Sequence, residues 1–165
     1  LLEARQNCIP HCLTLPLDHR ESLRKHLERA GLKVQVEAGD GGSAGNVITN
    51  SIRSYKSAAY DRRILLLDAD LPPTEAESKR AEQAGYEIIL WQPQCLEGAL
   101  LDALGEPVRA HETSQQLKQR LHPQLAGRHT DSAAYAELFT ADLLQKASNP
   151  ALSQLRRVLL NQLAE

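Results

Sequence analysis

The chain has 165 residues with a formal net charge of -2, and hydrophobic residues make up 42% of it. This length suits one domain, or one domain with a helical extension, and is sufficient for a substantial apolar core. The small net charge excludes nucleic-acid binding through overall positive charge, so any such binding has to use a local patch. No apolar run is long enough for a membrane span and no signal peptide is visible, which predicts a cytoplasmic protein without a membrane partner.

The first third of the chain predicts a strand, a helix and a second strand. Residues 9–15 form the first candidate strand. A helix begins at Asp18, which forms a capping pattern with Glu21, and ends at Gly31. Residues 32–37 alternate apolar and polar side chains, as a half-buried strand does.

Cysteine usage gives little sign of a metal site in this region. The three cysteines are an odd number, which indicates reduced thiols rather than a disulfide framework. Cys8, His11 and Cys12 lie close together, but they lack a second ligand pair. We therefore predict ordinary buried thiols there.

A glycine-rich turn at residues 38–46 runs directly into a helix that we expect to end near residue 59. Such a turn before a helix offers backbone N–H groups to an anion, and Gly41, Gly42 and Ser43 are the candidates for that contact. The turn matches neither the phosphate-loop nor the dinucleotide-binding pattern. A phosphate cradle and a flexible connection are thus both compatible with it.

Two carboxylates follow the most apolar short segment of the chain. Residues 64–67 are four consecutive aliphatic residues, which predicts a strand buried on both faces of a parallel sheet. Asp68 and Asp70 come where this strand should end, and the carboxyl ends of strands are where ligands bind in open α/β sheets. The pair predicts a Mg²⁺ site, because hard cations are held by one or two carboxylates together with substrate phosphates. The alternative is a helix cap and a turn residue.

The remaining elements complete an α/β pattern followed by helices. Thr74 and Glu77 form a capping box for a helix that ends at Gly85, and residues 86–91 form a further strand. This alternation predicts a doubly wound, mostly parallel sheet over residues 1–105, with residues 106–165 as a helical extension packed on it. The later helices are predicted at residues 95–104, 113–121, 131–147 and 150–163.

Glu97, on the first of these helices, is a further candidate site residue. Its position places a third carboxylate near the strand ends. It is equally explained as an acid favoured by the dipole at a helix start.

The order of these segments resembles the Toprim fold, and specifically the RloB-like proteins of bacterial restriction and abortive-infection loci. The similarity lies in five segments: the glycine-rich turn Gly-Asp-Gly-Gly-Ser, the strand with paired aspartates, the strand that follows, a Cys-Leu-Glu helix start and an Asn-Pro segment near the end. They are residues 39–43, 60–70, 84–91, 94–97 and 149–152. The resemblance implies a four-stranded Toprim-like sheet and Mg²⁺-dependent phosphodiester chemistry at Asp68 and Asp70, with Mn²⁺ as a substitute ion. The family's metal-binding glutamate corresponds to Leu15, so the first acidic motif is degenerate.

Three functions are therefore compared. The first is a Toprim-type, metal-dependent nuclease that acts on DNA or RNA, in phage defence. The second is a degenerate Toprim domain that binds or regulates partner proteins of a defence complex. The third, a glycosyltransferase that uses Asp-x-Asp to bind a metal and nucleotide, is disfavoured because the chain is short and offers no acceptor domain.

Overall fold

A computed structural model describes residues 42–54, 62–129 and 131–159. These residues form an α/β structure with seven helices and a two-stranded parallel sheet. Its elements are α1 (Ala44–Ser54), β1 (Arg63–Asp68), α2 (Glu75–Gln83), β2 (Tyr86–Trp91), α3 (Leu96–Ala103), α4 (Ser114–Leu121), a 3₁₀ turn (His122–Gln124), α5 (Ser132–Leu138), α6 (Ala141–Lys146) and α7 (Pro150–Leu159).

Several sequence predictions lie outside the described residues. They comprise the first two strands, the first helix, the cysteines near residue 10, Leu15 and Gly41. No helix in the part of the chain that the structure describes has the length and apolar character needed to cross a membrane.

The sheet consists of β1 and β2, paired in parallel with Arg63 opposite Tyr86 and Asp68 opposite Trp91. Both predicted strands are thus confirmed. The four aliphatic residues of β1 are all buried, in agreement with the prediction of a strand covered on both faces. The parallel pairing brings the carboxyl ends of both strands to one edge.

Alternate side chains of β1 point into two separate apolar clusters, as the two-residue period of a strand requires. Ile64 and Leu66 pack with α3 and with the helices that follow it, whereas Leu65 and Leu67 pack with α1 and α2. The first cluster also contains buried residues from both sides of Gly105, namely Trp91, Leu101, Leu117, Leu121, Phe139, Leu152 and Val158. The C-terminal helices therefore form one of the two layers that cover the sheet.

Side-chain caps set the starts of several helices. The capping box of Thr74 and Glu77 starts α2, as predicted. The prediction of one helix over residues 131–147 is wrong: α5 ends at Leu138, and α6 begins at Ala141. The Thr140 hydroxyl accepts a hydrogen bond from Leu143 N at 3.3 Å, and this N-cap starts a new helix where the apolar pattern suggested continuity.

Asn149 is a buried polar residue that directly precedes α7 and caps its first turn. It is 1% exposed, and its amide group donates to Gln92 O at 2.7 Å and to Asp102 Oδ2 at 2.8 Å. Its Oδ1 accepts hydrogen bonds from the N–H groups of Ala151 and Leu152 at 3.1 and 3.2 Å. One side chain thereby caps α7 and ties it to the end of β2 and to α3.

Candidate functional site

The candidate site lies at the carboxyl end of the sheet, where β1 leads to Asp70 and β2 leads to a loop over residues 92–95. This loop contains a cis peptide bond between Gln92 and Pro93, and Gln94 has a φ of 67°. Asp70 N donates a hydrogen bond to Gln94 O at 2.8 Å. The two segments that leave the sheet are therefore held side by side above the strand ends.

The carboxylate of Asp68 caps α3 from the neighbouring strand. Leu96, the first residue of the helix, donates its backbone N–H to Asp68 Oδ1 at 3.2 Å. Cys95, at the N-cap position, makes no side-chain capping bond. Asp68 therefore satisfies one of the N–H groups that a helix start leaves without an intrahelical partner.

Asp68 also lies among other charges. Burial raises the pKa of its carboxyl, the hydrogen bond from Leu96 lowers it, and the negative charges of Asp70 and Glu97 raise it further. The positive charge of Lys118 acts in the opposite direction. Asp70 and Glu97, the other two predicted carboxylates, thus both lie within electrostatic range of Asp68.

Helix α4 faces these carboxylates with a row of polar side chains. Ser114, Lys118 and His122 are spaced by four residues and so lie on one helix face, which we call the α4 stripe. The Ser114 hydroxyl donates a short hydrogen bond to Asp70 Oδ2. At the other end of the stripe, His122 Nε2 lies 3.9 Å from Glu97 Oε1.

His122 has a partly enclosed environment, with its side chain 28% exposed. Its ring stacks on that of His129 with centroids 4.6 Å apart. Burial lowers the pKa of His122, the charges of His129 and Lys118 lower it further, and Glu97 opposes them. The imidazole is therefore biased towards its neutral form, in which it has a ring nitrogen able to accept a proton.

Cys95 is a poor candidate nucleophile despite its place beside the site. Burial raises the pKa of its thiol to about 11, so the thiol stays protonated at neutral pH.

The glycine-rich turn is only partly described. Gly42 has a φ of 102°, a left-handed conformation that favours glycine, and Ser43 O accepts from the N–H groups of Asn46 and Val47. Both residues directly precede α1. Among the residues that the structure describes, none of their contacts reaches Asp68 or Asp70.

The start of α1 nevertheless lies beside that of α2, because the side chain of Glu77 leaves no room for a Cβ at Gly45. The turn is thus close to the segment that follows β1.

Within the described ranges, no group of three or more His, Cys, Asp or Glu side chains is placed to hold a metal ion. Asp68 and Asp70 are the best-placed pair for a hard cation, and any further ligands would have to come from water, substrate or another part of the protein.

The sequence predictions missed the contribution of α4. The signal was present in the predicted helix 113–121, since Ser114 and Lys118 share a face with His122 just beyond it. The sequence alone does not indicate which element this helix face contacts.

Comparison of the chain with protein-family models, with curated proteins and with solved structures finds no match.

Proposed function

We propose that this protein is a Toprim-like, Mg²⁺-dependent nuclease-type protein of the RloB-like kind, which acts on phosphodiesters of DNA or RNA in phage defence. The observation that carries the proposal is that Asp68, at the carboxyl end of β1, lies within electrostatic range of Asp70, Glu97 and Lys118. Carboxylates beside a cationic side chain are the groups that a metal ion and a phosphate require.

The proposed fold has four strands, of which β1 and β2 are two. A two-stranded sheet by itself is marginally stable, and the complete burial of Ile64 to Leu67 is typical of an interior strand. We propose that residues 9–15 and 32–37 supply the other strands of a Toprim-like sheet.

Asp68 and Asp70 would hold the ion. Asp70, which is exposed, repels the partly buried carboxylate of Asp68, and a divalent cation would relieve that repulsion. When bound, Mg²⁺ neutralises and orients the phosphate and activates the attacking oxygen. Two carboxylates suffice where substrate phosphates complete the coordination.

The protein's own groups fix these side chains before substrate arrives. The Leu96 N–H holds Asp68, and the Ser114 hydroxyl holds Asp70. Glu97, with its side chain 13% exposed, has its Oε1 3.9 Å from His122 Nε2, and this imidazole would serve as a proton acceptor.

The test is incubation of the purified protein with plasmid, linear DNA and RNA in Mg²⁺ or Mn²⁺. We expect cleavage that stops when the metal is chelated. We also expect Asp68→Asn and Asp70→Asn each to lower the cleavage rate by at least about 100-fold. Loss of a residue that only supports a metal ligand costs up to about 100-fold, and loss of a ligand itself should cost at least as much. Asp142→Asn, which removes one charge from an exposed pair with Lys146, is the matched control and should cleave normally. Cleavage that persists in both site variants would refute the proposal.

The second candidate is a catalytically degenerate Toprim-fold protein that binds or regulates the other proteins of a complex. Two observations favour it: Asp68 already caps α3, and the described residues contain no three-ligand group. Leu15, where the resemblance calls for a glutamate, agrees with it. Calorimetry separates the candidates, because tight Mg²⁺ binding abolished by Asp70→Asn would count against a degenerate site.

A further inference from the structure

We propose that the stacked rings of His122 and His129 form a pH-sensitive switch, which holds residues 126–129 against α5 at neutral pH and releases them when both rings are protonated. These residues, which we call the 126–129 segment, lie between the 3₁₀ turn and α5. The inference goes beyond the proposed function and does not depend on it.

Two contacts hold the 126–129 segment in place. The rings of His122 and His129 lie nearly parallel, with 11° between their planes and 4.6 Å between their centroids. Gly127 packs against α5, because a Cβ at this position would lie 3.3 Å from the Cβ of Ala134. Ala134 is buried and belongs to the first apolar cluster. Of these two contacts, only the stack can change with pH.

Charged groups from three parts of the structure surround His122. Glu97 on α3 places its Oε1 3.9 Å from His122 Nε2, Lys118 lies one turn earlier on the α4 stripe, and His129 covers the ring face. Burial lowers the pKa of His122, and the charges of His129 and Lys118 lower it further, whereas Glu97 raises it. The closed arrangement therefore favours neutral His122.

The other ionisable side chains near the stack come from α3, α5 and the chain beside His129. Burial raises the pKa of Tyr135 on α5 to about 12 and that of Cys95 on α3 to about 11, so both stay neutral. Arg128 carries a permanent charge, and the carboxylate of Asp131 accepts a hydrogen bond from Ala133 N at 3.0 Å as the N-cap of α5. Imidazole is the side chain whose ordinary pKa lies between about 5 and 8, so the two histidines are the groups that respond there.

Acid converts the stack from an attractive contact into a repulsive one. Neutral aromatic rings attract each other in a parallel, offset arrangement, whereas two imidazolium rings in contact repel each other. Protonation also turns the contact between His122 and Glu97 into an ion pair. We therefore expect His122 to stay beside Glu97 while the exposed His129 moves away together with the 126–129 segment.

The lowered pKa of His122 gives the same sign. A histidine whose pKa is lower in the closed form than in the open form stabilises the closed form above the open-form pKa. This stabilisation is lost as pH falls towards the closed-form pKa. The segment should therefore be closed at neutral pH and open in mild acid.

Amide hydrogen exchange, read by NMR, tests the switch. The Asp131 N–H donates to Arg128 O at 2.8 Å and reports on the segment, whereas the Leu125 N–H donates to His122 O at 3.2 Å just before it. Between about pH 7.5 and 5.5 we expect the protection factor of the Asp131 N–H to fall about tenfold, the scale of a contact between like charges near a surface. Nuclear Overhauser contacts between the two rings should disappear over the same range. Protection of the Leu125 N–H and of the β2 amides should not change, because Leu125 and β2 pack in the core.

Substitution separates the charge of His129 from its stack. His129→Phe keeps an aromatic ring on His122 that acid cannot charge, so the Asp131 N–H should stay protected at both pH values. The pKa of His122 should rise in this variant, because one positive charge has gone. His111→Phe removes an exposed histidine outside the segment and is the matched control, which should respond to acid as wild type does.

The inference is overturned if wild type keeps the ring contact and the protected Asp131 N–H in mild acid, or if the β2 amides lose protection together with it. It is also overturned if His129→Phe opens as wild type does. The ring contact in wild type tests the switch without any variant. None of these measurements involves a metal or a nucleic acid, so they leave the proposed function untouched.

Discussion

Asp68 has two roles, as the acceptor that caps α3 and as a charge in the proposed metal site, and its surroundings affect them in opposite ways. As an acceptor it caps α3 through the Leu96 N–H, and this bond favours the charged form of the carboxyl. As a charge it is opposed by burial, which raises its pKa, and by the nearby charges of Asp70 and Glu97. The cap needs the oxygen atom, whereas the proposed metal site needs the charge.

Substitution separates these roles. Asp68→Asn keeps an oxygen at the capping position and removes the charge, so at pH 7 we expect a free energy of unfolding equal to or above that of wild type. Asp68→Ala removes the cap and should lower that free energy by about 1 kcal/mol. Urea denaturation followed by circular dichroism measures both. Equal destabilisation by the two variants would show that Asp68 does not act as a neutral acceptor for the cap.

The pH dependence gives the sign of the charge effect. Because the folded-state pKa of Asp68 is raised, first by burial, its titration contributes stability that is fully present below the unfolded-state pKa and is lost as pH rises through the folded-state pKa. The advantage of Asp68→Asn over wild type should therefore be largest at neutral pH and shrink as pH falls below the unfolded-state pKa.

At the scale of single elements, the sequence predicted what depends on local chemistry. The strands at residues 63–68 and 86–91 and the α2 capping box follow from side-chain period and from contacts three residues apart. The site was harder to predict, because Ser114 and Asp70 meet across a separation of 44 residues. Nothing local to α4 specifies that contact, which depends on how Leu117 and Leu121 pack in the shared core.

Asn149 gives the most direct test of how the elements are joined. Asn149→Ala leaves Gln92 O and Asp102 Oδ2 without their donor and removes the cap of α7. Because Asn149 is buried and its bonds to these groups are partly buried, we expect the free energy of unfolding to fall by about 2 kcal/mol.

Asn149→Asp is the comparison variant, since it keeps the capping oxygen but places a carboxyl against Asp102. It should be nearly as unstable at neutral pH and partly recover when acid protonates the pair. If Asn149→Ala lowers the free energy of unfolding by less than about 0.5 kcal/mol, as ordinary surface substitutions do, Asn149 does not join these elements as described.

At the scale of the molecule, the C-terminal helices do more than extend an α/β unit. They cover one face of β1 and β2 and bring the α4 stripe to the strand ends, while α1 and α2 cover the opposite face. The sequence suggested a boundary near residue 105 because strand patterns stop there. The apolar cluster that crosses Gly105 shows that the change of pattern marks a new layer of the same core.

A crystal structure obtained with Mn²⁺ tests the proposed metal site most directly. We predict an anomalous peak about 2.1 Å from carboxylate oxygens of both Asp68 and Asp70, the distance typical of such small divalent ions. Absence of the peak at saturating Mn²⁺ would contradict the proposal.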